Sequence, residues 1–451
     1  MNLAQALRLP PASSVAFVGA GGKSTALFQL ARELNPPVII TATTHLGAWQ
    51  IPLADKHIVA NLPASLAMLE HNLSGVMLVT GEIKDNKTAP VNAKILSWLR
   101  EVCKNNSFPL LIEADGSRQK PLKAPAKHEP PIPEFVDLVV QVAGLTGLGK
   151  PLVDEIVHRY KIFGNLVGFK MGETITPEAL TRVLTHPKGG LKNIPTAARH
   201  VALLNQAETP ELQAQANTIA KKLLPVYHSV IVASLKNEQI HAVHEPIAGI
   251  ILAAGESTRF GQPKQLLNWC GEPFVRAVAK SALEAGLSPV IVVTGSHASE
   301  VASALDKLPV EIVQNEAWQS GQATSIRAGL GSLRCSAPSS PFSVGKWGRS
   351  GGGIFLLADQ PQVTPTILHA LVEKHALTLA PIVAPMVLDQ RANPVLFDRV
   401  TFPDLMKLEG DVGGRGIFSK HKVSYLPWHD DAMLLDVDTP EHYQRLKDLL
   451  E

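Results

Sequence analysis

The sequence predicts an α/β protein of two domains, each built on a mainly parallel sheet with helices on both faces. The chain has 451 residues, which is more than one hydrophobic core usually organises. Short β-branched runs alternate with helical patterns along its whole length, as is typical of parallel sheets. A strand also runs directly into a glycine-rich turn twice, at residues 15–25 and 249–264. Because parallel sheets bind ligands at the carboxyl ends of their strands, the two turns predict two ligand-binding domains.

The predicted strands form two series. The first half contains SVAFVGA, PVIITAT, GVMLVTG and PLLIEAD, and the second contains IAGIILAAG, PVIVVTG, VEIVQN, GIFLLAD and PIVAPMV. The join is placed near residues 241–249, where Pro246 precedes the second opening strand, so the domains are expected to cover residues 1–240 and 247–451. Residues 334–353, RCSAPSSPFSVGKWGRSGGG, are rich in Ser, Pro and Gly. We expect a mobile insertion there, with a substrate lid as the alternative.

Composition excludes several classes of protein. Hydrophobic residues make up 45% of the chain and charged residues 18%, as in globular proteins. The net charge of +2 offers no long-range attraction for nucleic acid or an anionic membrane. No apolar run reaches the length of about 18 residues that a membrane span needs, and the N-terminus lacks the apolar core of a signal peptide. The cysteines and histidines have no disulfide or zinc-site spacing. We expect a cytoplasmic protein.

The first glycine-rich turn has the composition of a phosphate-binding loop. Its sequence GAGGKST, residues 19–25, is shorter than a full Walker A motif, because Phe17 stands where the first glycine is required. In such loops backbone N–H groups and a lysine bind phosphate, and a hydroxyl binds Mg²⁺. The alternative is a helix N-terminus with an incidental Gly-Lys pair. The expected nucleotide-binding residues of this P-loop NTPase-like domain are Gly19, Gly21, Gly22, Lys23, Ser24 and Thr25.

Further segments of the first half could complete the same site. TATTHLG, residues 41–47, supplies hydroxyls, and Glu113 and Asp115 follow an apolar strand like a Walker B carboxylate, so both are candidate metal ligands. RQKPLKAPAKHEPPIP, residues 118–133, is either an anion-binding or a solvated loop. Together these motifs resemble the YqeC family over residues 1–235. The resemblance implies nucleotide binding and a role in maturing selenium-dependent molybdenum hydroxylases, with a hydroxylase as the protein partner.

The second glycine-rich turn, IILAAGESTRFGQPKQLL, has the residues of a nucleotide-transfer loop. Small residues there let backbone N–H groups approach phosphate oxygens closely. Arg259 and Lys264 follow at positions from which both could fold over a triphosphate, the first as a planar fork and the second as a compact charge. The alternative is an ordinary turn with two solvated basic side chains. The predicted nucleotide contacts are Leu252, Ala253, Ala254 and Gly255.

Three carboxylates are candidate Mg²⁺ ligands for this loop. Asp359 follows the apolar strand GIFLLAD, and Asp436 and Asp438 alternate in LLDVDTPEHY. Residues i and i+2 of an extended segment share a face, so both members of the pair could reach the metal. Alternatively, Asp359 could cap the helix that starts near Thr364, and Asp438 could be the N-cap of the last helix.

The second half resembles the MobA-like nucleotidyltransferases, and within them the molybdenum cofactor cytidylyltransferases of the MocA type. Residues 247–447 carry six motifs in the family's order: LAAGESTRFGQPKQLL, NEAWQSGQATSI, LLADQP, NPVLF, GDVGGR and DVDTPE. The pair Ala253-Ala254 is similar to the cytidylyl branch, since guanylyl enzymes tend to show Ala-Gly-Gly there. The resemblance implies a Rossmann-like domain that transfers CMP from CTP to the molybdopterin-bound molybdenum cofactor, with Mg²⁺ as cofactor and pyrophosphate as the second product.

The resemblance also implies individual roles. Lys264 would stabilise charge at the α-phosphate, and Arg259 would hold the leaving pyrophosphate. Asp359, with Asp436 or Asp438, would hold Mg²⁺. Gly321 and Ser325 would contact the nucleotide, and Gln322, Asn393 and Asp411 the second substrate. The chain departs from the family at Ala392, where glycine is usual, and at Gly414.

Two other functions compete with this one. The first is nucleotide transfer to another phosphorylated substrate, such as a sugar or alditol phosphate, but GQATSI and GDVGGR favour a pterin. The second is a nucleotide-driven chaperone that inserts finished cofactor and has a degenerate second site. The presence of Arg259, Lys264 and Asp359 counts against degeneracy.

Overall fold

The computed structural model describes residues 1–60, 73–256, 262–334 and 347–448. The described residues form two compact units, residues 1–244 and the residues from 245 onward. Among the helices of these ranges, none has both the length and the apolar character needed to cross a bilayer.

The first unit contains fourteen described strands. They are β1 (Ser14–Gly19), β2 (Val38–Ala42), β3 (Leu46–Gly47), β4 (Lys56–Val59), β5 (Val76–Thr80), β6 (Ile83–Lys84), β7 (Lys87–Thr88), β8 (Leu110–Glu113), β9 (Leu122–Lys123), β10 (Leu138–Gly144), β11 (Val157–His158), β12 (Arg199–Asn205), β13 (Ser229–Ser234) and β14 (Gln239–His244). The strand β14 ends within the segment 241–249, where the sequence places the join.

Nine of these strands form the main sheet, in the order β14-β13-β12-β10-β1-β8-β2-β5-β4. Only β13 and β14 pair antiparallel among the described neighbours of this sheet. The central strands β1, β2, β5 and β8 are buried at every position, as expected for strands covered on both faces.

The helices of the first unit connect these strands. They are α1 (Leu3–Leu7), α2 (Lys23–Glu33), α3 (Ala93–Asn106), α4 (Tyr160–Val167), α5 (Pro177–Thr185) and α6 (Pro210–Leu223). Two of them start in the same way: Thr176 and Thr209 accept a backbone hydrogen bond at the N-caps of α5 and α6, and proline follows each threonine. Threonine satisfies an orphan donor there, and proline has the helical φ and lacks an N–H that would stay unpaired.

The second unit has its own sheet and helices. Its strands are β15 (Ile247–Ala253), β16 (Asn268–Trp269), β17 (Glu272–Pro273), β18 (Val290–Thr294), β19 (Glu311–Gln314), β20 (Gly352–Leu357), β21 (Ile382–Val387), β22 (Gln390–Arg391), β23 (Val395–Asp398) and β24 (Val423–Pro427). Its helices are α7 (Phe274–Glu284), α8 (Ala298–Ala304), α9 (Gln322–Ser332), α10 (Pro365–Thr378), α11 (Phe402–Leu405) and α12 (Pro440–Asp448).

The sheet of the second unit is parallel on one side and mixed on the other. Its order is β19-β18-β15-β20-β23-β21-β22, and β24 pairs with β21. The first four strands are parallel, whereas β23 runs antiparallel to both β20 and β21. Alternate residues of β15 enter different cores: Ile251 packs with α7 and α10, and Ile250 packs with α9 and α11. The predicted α/β fold with helices on both faces is therefore confirmed.

The expectation of a mobile insertion at 334–353 is wrong for its second part. Residues 335–346 lie outside the described residues. Trp347, however, is buried and packs edge-on against Phe402, with the ring centroids 5.3 Å apart. The three glycines after Ser350 lead into β20, which begins at Gly352. A Cβ on Gly352 would lie 2.7 Å from the Phe397 carbonyl oxygen, so close strand packing explains glycines that the composition alone assigned to a loop.

Candidate functional site

A cavity of about 340 Å³ in the second unit opens at the carboxyl ends of β15 and β20. Ten of the residues predicted from the sequence line it together: Leu252, Ala253, Ala254, Gly255, Lys264, Gly321, Gln322, Ser325, Asp359 and Asp411. This is where a parallel sheet is expected to bind its ligand.

The glycine loop of this cavity keeps one backbone position clear. Ala254 packs against Gly295, where a Cβ would lie 2.4 Å from the Ala254 carbonyl oxygen. By contrast, a Cβ on Gly255 would meet no atom of the described residues within 4 Å. Contacts with the described residues therefore do not require glycine at 255, whereas close approach of a ligand to the backbone would. Gln265 Nε2 donates to the Gly255 carbonyl oxygen at 3.1 Å and so ties the end of the strand to the residue after Lys264.

Lys264 reaches the cavity already paired. Its Nζ lies 2.5 Å from Asp438 Oδ1, and the lysine side chain is 12% exposed whereas the aspartate is 56% exposed. Arg259, the other predicted cation of the loop, lies outside the described residues. The lysine predicted to stabilise phosphate and a carboxylate predicted to bind metal are therefore neighbours in space, although they are far apart in the sequence.

The three predicted carboxylates influence one another. Burial raises the pKa of the Asp359 carboxyl; Lys264 opposes this shift, while the charges of Asp436 and Asp438 add to it. Asp436 accepts a hydrogen bond from Gln360 Nε2 at 2.7 Å. Within the described ranges, no group of three or more His, Cys, Asp or Glu side chains is placed to hold a metal ion. Asp359 and Asp436 therefore repel each other, while Lys264 neutralises the third carboxylate, Asp438.

The C-terminal segment brings Asp436 beside Gln360 and Asp438 beside Lys264. Both aspartates are exposed, whereas Val437 between them is fully buried in a small cluster with Leu267, Phe274 and Leu446. The segment is turned rather than extended here, because the Asp438 N–H donates to the Asp436 carbonyl oxygen at 3.1 Å. Tyr443 Oη adds a 2.7 Å hydrogen bond to the Asn268 carbonyl oxygen.

Asp438 does not cap α12, in contrast to one of the alternatives considered. The first turn of that helix is held by Thr439, whose Oγ1 accepts from the His442 N–H at 3.4 Å. Asp438 instead turns its carboxylate to Lys264. Thr364, rather than Asp359, precedes α10 in the N-cap position. Neither aspartate is explained by helix capping.

The start of α9 is less open than the sequence suggests. Gly321 precedes this helix with φ of 102°, and a Cβ on it would lie 2.3 Å from the Gly410 carbonyl carbon. The N–H of Gln322 donates to Asp411 Oδ1 at 3.3 Å, and the N–H of Ala323 donates to the Gly410 carbonyl oxygen at 3.2 Å. The loop at Gly410 and Asp411 thus satisfies the backbone amides of Gln322 and Ala323.

Two glycines of GDVGGR are explained by packing. A Cβ on Gly413 would lie 2.6 Å from Gln322 Oε1, and one on Gly414 would lie 2.7 Å from the Phe397 ring. The departure from the family pattern at Gly414 therefore lets this loop lie on the sheet beside α9. Asn393 falls in the connection between β22 and β23 and is not among the residues that line the 340 Å³ cavity.

Four lining residues were not singled out from the sequence: Gln265, Trp318, Leu357 and Ala358. Trp318 lies in the motif NEAWQSGQATSI, and Gln265 follows Lys264 in the loop motif. Both positions fall within motifs quoted from the sequence, but only the tertiary structure shows that these residues line the same cavity.

The glycine loop of the first unit is fixed by its own chain. The N–H groups of Gly19, Ala20 and Gly21 donate to Asp115 Oδ2, the Val142 carbonyl oxygen and the Lys120 carbonyl oxygen, at 3.0, 2.9 and 3.1 Å. Gly19, Gly21 and Gly22 all have positive φ values, of 97°, 82° and 119°. Glycine is required at these positions for backbone conformation.

Lys23 and Asp115 lie inside the first unit rather than at its surface. Lys23 Nζ donates to the Gly19 carbonyl oxygen at 2.7 Å and lies 3.2 Å from Asp115 Oδ1. Lys123 Nζ lies 2.8 Å from the other oxygen of Asp115. All three side chains are 2% exposed. Asp115 is therefore engaged by two lysines, and of the two predicted metal ligands Glu113 is the better placed.

Glu113 faces a cavity of about 490 Å³ at the N-terminus of α2. Ser24 Oγ donates to Glu113 Oε2 at 3.0 Å, and burial raises the pKa of this carboxyl. The predicted residues Gly21, Gly22, Lys23, Ser24 and Thr25 line the same cavity, as does the 95% buried Gln50. The Oε1 atom of Gln50 has no hydrogen-bond partner among the residues that the structure describes. A helix N-terminus, a serine and a carboxylate thus surround one polar cavity.

The two units define a class: an α/β protein with a glycine loop at a helix N-terminus, followed by a fold whose cavity suits nucleotide transfer. Comparison with family models agrees, since residues 15–161 match the YqeC protein family and residues 249–425 match the MobA-like NTP transferase domain. The chain belongs to the YqeC family in its first half and to the MobA-like NTP transferases in its second.

Curated relatives resemble either the first or the second half of the chain. The uncharacterized protein YqeC of Escherichia coli K12 is 32% identical over 210 residues, which is 43% of this chain and 75% of that protein. The purine catabolism protein PucB of Bacillus subtilis 168 is 30% identical over 207 residues, 45% of this chain and 96% of that protein. A probable molybdenum cofactor guanylyltransferase of Bacillus cereus Q1 is 41% identical over 63 residues, 14% of this chain and 31% of that protein.

A solved structure is also similar. The crystal structure of Rv0371c from Mycobacterium tuberculosis H37Rv is 31% identical, covers 46% of this chain and 98% of its own, and has a TM-score of 0.40.

Proposed function

We propose that the second unit is a molybdenum cofactor cytidylyltransferase, which transfers CMP from CTP to the phosphate of a molybdopterin-type cofactor and releases pyrophosphate. The observation that carries the proposal is the shared cavity of the glycine loop, Lys264 and Asp359. Membership of the MobA-like NTP transferases supports the reaction class.

The residues of the cavity would act through position and charge. Nucleotidyl transfer requires alignment of the two phosphates and neutralisation of the charge that develops between them. Lys264 would leave Asp438 and stabilise the α-phosphate, while the open backbone at Gly255 would approach the triphosphate. Arg259 would hold the leaving pyrophosphate. No general base is needed, because a phosphate nucleophile is already ionised at neutral pH.

Asp359 and Asp436 or Asp438 would hold Mg²⁺. The residues present fit this ion, because burial and like charges disfavour ionised Asp359, and a cation would relieve both effects. Mg²⁺ keeps several waters and is often bound by one or two carboxylates together with substrate phosphates. When bound, it would neutralise charge on the phosphates. Release of Asp438 from Lys264 would make a second carboxylate available at the same time.

The preference for CTP rests on the pair Ala253-Ala254. Ala254 is packed against Gly295, so the alanine in place of the guanylyl glycine is accommodated by a glycine on the neighbouring strand end. Gln322 and Asp411, joined through the Gln322 N–H, would contact the second substrate at the other side of the cavity. Asn393 is proposed for the same side.

The experiment is a pyrophosphate assay with both nucleotides. The purified chain is incubated with Mg²⁺, molybdenum-loaded molybdopterin and either CTP or GTP, and released pyrophosphate is measured. We expect release with CTP. Absence of release with either nucleotide would contradict the transferase and favour the insertion chaperone, whereas equal use of GTP would contradict the cytidylyl assignment. Release with a sugar phosphate in place of the pterin would identify a different substrate.

For the first unit we propose nucleotide binding at the N-terminus of α2, with Ser24 and Glu113 on the metal side. Its cavity contains the polar groups that a phosphate and a hydrated Mg²⁺ require. We further propose that a molybdenum hydroxylase receives the product of the second unit. A pull-down of the chain with an apo-hydroxylase, with and without the substrates of the transferase, tests this partner.

A further inference from the structure

A second cavity of the first unit lies directly beside the one at the glycine loop. Its volume is about 920 Å³, within the range of small-molecule sites. It shares four lining residues with the 490 Å³ cavity: His45, Gly47, Gly116 and Arg118. Molecules bound in the two cavities would meet at this boundary.

The charge of the second cavity is positive. Lys87, Arg118 and Lys161 line it, and none of them forms a salt bridge with a residue in the described ranges. The acidic residues of the lining already have partners. Asp154 lies 2.8 Å from Lys120. Glu129 accepts two hydrogen bonds of 2.7 Å from the Arg159 guanidinium.

Two titrating groups of the lining have shifted pKa values. Although burial acts in the opposite direction, hydrogen bonds from Arg159 and Lys123 lower the pKa of Glu129 to about 2. Burial, followed by the charges of Arg159 and Lys123, lowers the pKa of His158 to about 4. His158 is consequently neutral at pH 7. The charge of Glu129 is paired with Lys123 and Arg159. Asp154 is paired with Lys120 and also interacts with the charge of Arg118, so cations outnumber carboxylates in the lining.

The N-terminus of α4 adds to this potential. Arg159 occupies its N-cap with φ of 63° and makes no side-chain cap, and Lys161 lies in the first turn. The N–H groups of Tyr160 and Lys161 have no acceptor among the residues that the structure describes. Cations at the positive end of a helix are unfavourable, whereas an anion there is favourable. An anion in the cavity would explain why basic residues are placed at this end.

Two threonines of the segment TATTHLG, Thr43 and Thr44, also line this cavity. Their Oγ1 atoms are buried and have no hydrogen-bond partner in the described part of the chain.

We propose that this basic cavity, lined by Lys87, Arg118 and Lys161, binds a small molecule with a phosphate or carboxylate group next to the terminal phosphate of a nucleotide at the glycine loop of the first unit. The proposal rests on the nucleotide binding proposed for that loop. Arg118 lines both cavities and would contact the two ligands. The first unit would then be a two-substrate site rather than a nucleotide switch alone.

The test uses inorganic phosphate as the probe and the full-length chain. Binding of radiolabelled phosphate is measured by equilibrium dialysis for the wild type, for the double variant Arg118→Ala/Lys161→Ala, and for the control Lys188→Ala/Lys236→Ala, which removes two exposed lysines elsewhere in the unit. We expect the cavity variant to bind phosphate about tenfold more weakly, which corresponds to about 1.4 kcal/mol, and the control to match the wild type. Equal binding by all three proteins would overturn the proposal.

A second arm separates the two sites. A non-hydrolysable ATP analogue with Mg²⁺ is added at saturation, and its own binding is measured in parallel. We expect phosphate that depends on Arg118 and Lys161 to remain bound. Complete displacement would show that the nucleotide itself fills the basic cavity and would overturn the proposal. Failure of the analogue to bind, with phosphate binding unchanged, would contradict the nucleotide loop but not the anion site.

Discussion

Asp115 holds the first glycine loop through one buried carboxylate. It accepts the Gly19 N–H at 3.0 Å and is paired with Lys23 and Lys123. Lys23 has its salt bridge with Asp115, whereas Lys123 also pairs with Glu129. From its position after an apolar strand, Asp115 could be predicted as a functional carboxylate. Its two lysine partners come from separate segments, so its structural role could not.

Replacing Asp115 should destabilise the first unit. Asp115→Asn leaves buried lysines with reduced compensation, and we expect a loss of about 3 kcal/mol in the free energy of unfolding. Urea denaturation followed by circular dichroism measures the effect. The control is Asp85→Asn at an exposed turn, which should change stability little. Unaltered stability of Asp115→Asn would show that the ion pairs do not stabilise the folded state.

Lys264 is the residue on which the transferase proposal depends most directly. Lys264→Ala should lower kcat for pyrophosphate release about 100-fold, since it removes the charge placed at the α-phosphate. The matched control is Lys420→Ala, which removes an exposed lysine of the same unit. Both variants should keep the thermal midpoint of the wild type. Full activity of Lys264→Ala would remove this residue from its proposed role.

Asp359 should show a conflict between stability and activity. Burial raises its pKa, so the folded state holds the proton more tightly than the unfolded state, whose carboxyl has a pKa of about 3.9. The stability that this group contributes is therefore present below that value and is lost as the pH rises.

Asp359→Asn should for this reason be more stable than the wild type at pH 7 without Mg²⁺, and inactive. Thermal melts between pH 4 and 7 should show a difference in midpoint that grows with pH. Added Mg²⁺ should stabilise the wild type but not the variant. A difference that shrinks as the pH rises would contradict the raised pKa.

At the scale of elements, the C-terminal segment places the second carboxylates. Val437 and Leu446 enter an apolar cluster with Leu267 and Phe274, and this packing places Asp438 beside Lys264 and Asp436 beside Gln360. The spacing of the two aspartates could be predicted from the sequence. The ion pair to Lys264 could not, because it joins segments that are far apart in the chain and meet through tertiary packing.

Loosening this segment should weaken metal use. Leu446→Ala creates a cavity that costs about 2–5 kcal/mol where packing cannot relax, so the segment should detach more readily. We expect pyrophosphate release to need a higher Mg²⁺ concentration for half-maximal rate. Leu377→Ala, at a 58% exposed position on α10, is the control. An identical Mg²⁺ dependence in both variants would exclude a positioning role for the cluster.

Local sequence does not reveal two close contacts between segments. The GDVGGR loop lies on the first amides of α9 because glycines at 321, 413 and 414 permit close packing. Gly352 belongs by composition to a predicted loop, yet it lies in a strand beside Phe397. In both cases glycine provides close approach between segments, which has no signature within a short stretch of sequence.

At the scale of the whole molecule, the chain has two units, each with a glycine loop and its own cavity. Ser24→Ala removes the hydroxyl that donates to Glu113 and should weaken binding of Mg²⁺-nucleotide to the first unit about tenfold, as the loss of one charge-assisted hydrogen bond implies. Calorimetric titration with ATP and GTP measures this.

The second unit provides the reference for the same variant. Pyrophosphate release by Ser24→Ala should follow the wild type, and Lys264→Ala should show the reverse pattern. A parallel loss of both activities in Ser24→Ala would show that the two cavities are coupled.

The sequence by itself determined the α/β class, the two glycine loops and most of the residues around the 340 Å³ cavity of the second unit. Strand patterns and small residues at strand ends are local features that fix where ligands bind. Only the tertiary structure decided which charges neutralise one another. It paired Lys264 with Asp438, buried Lys23 and Asp115 together, and placed Lys87, Arg118 and Lys161 around the basic cavity of the first unit. The physical reason is that pairing and burial depend on distances between segments, which a linear pattern of residues does not contain.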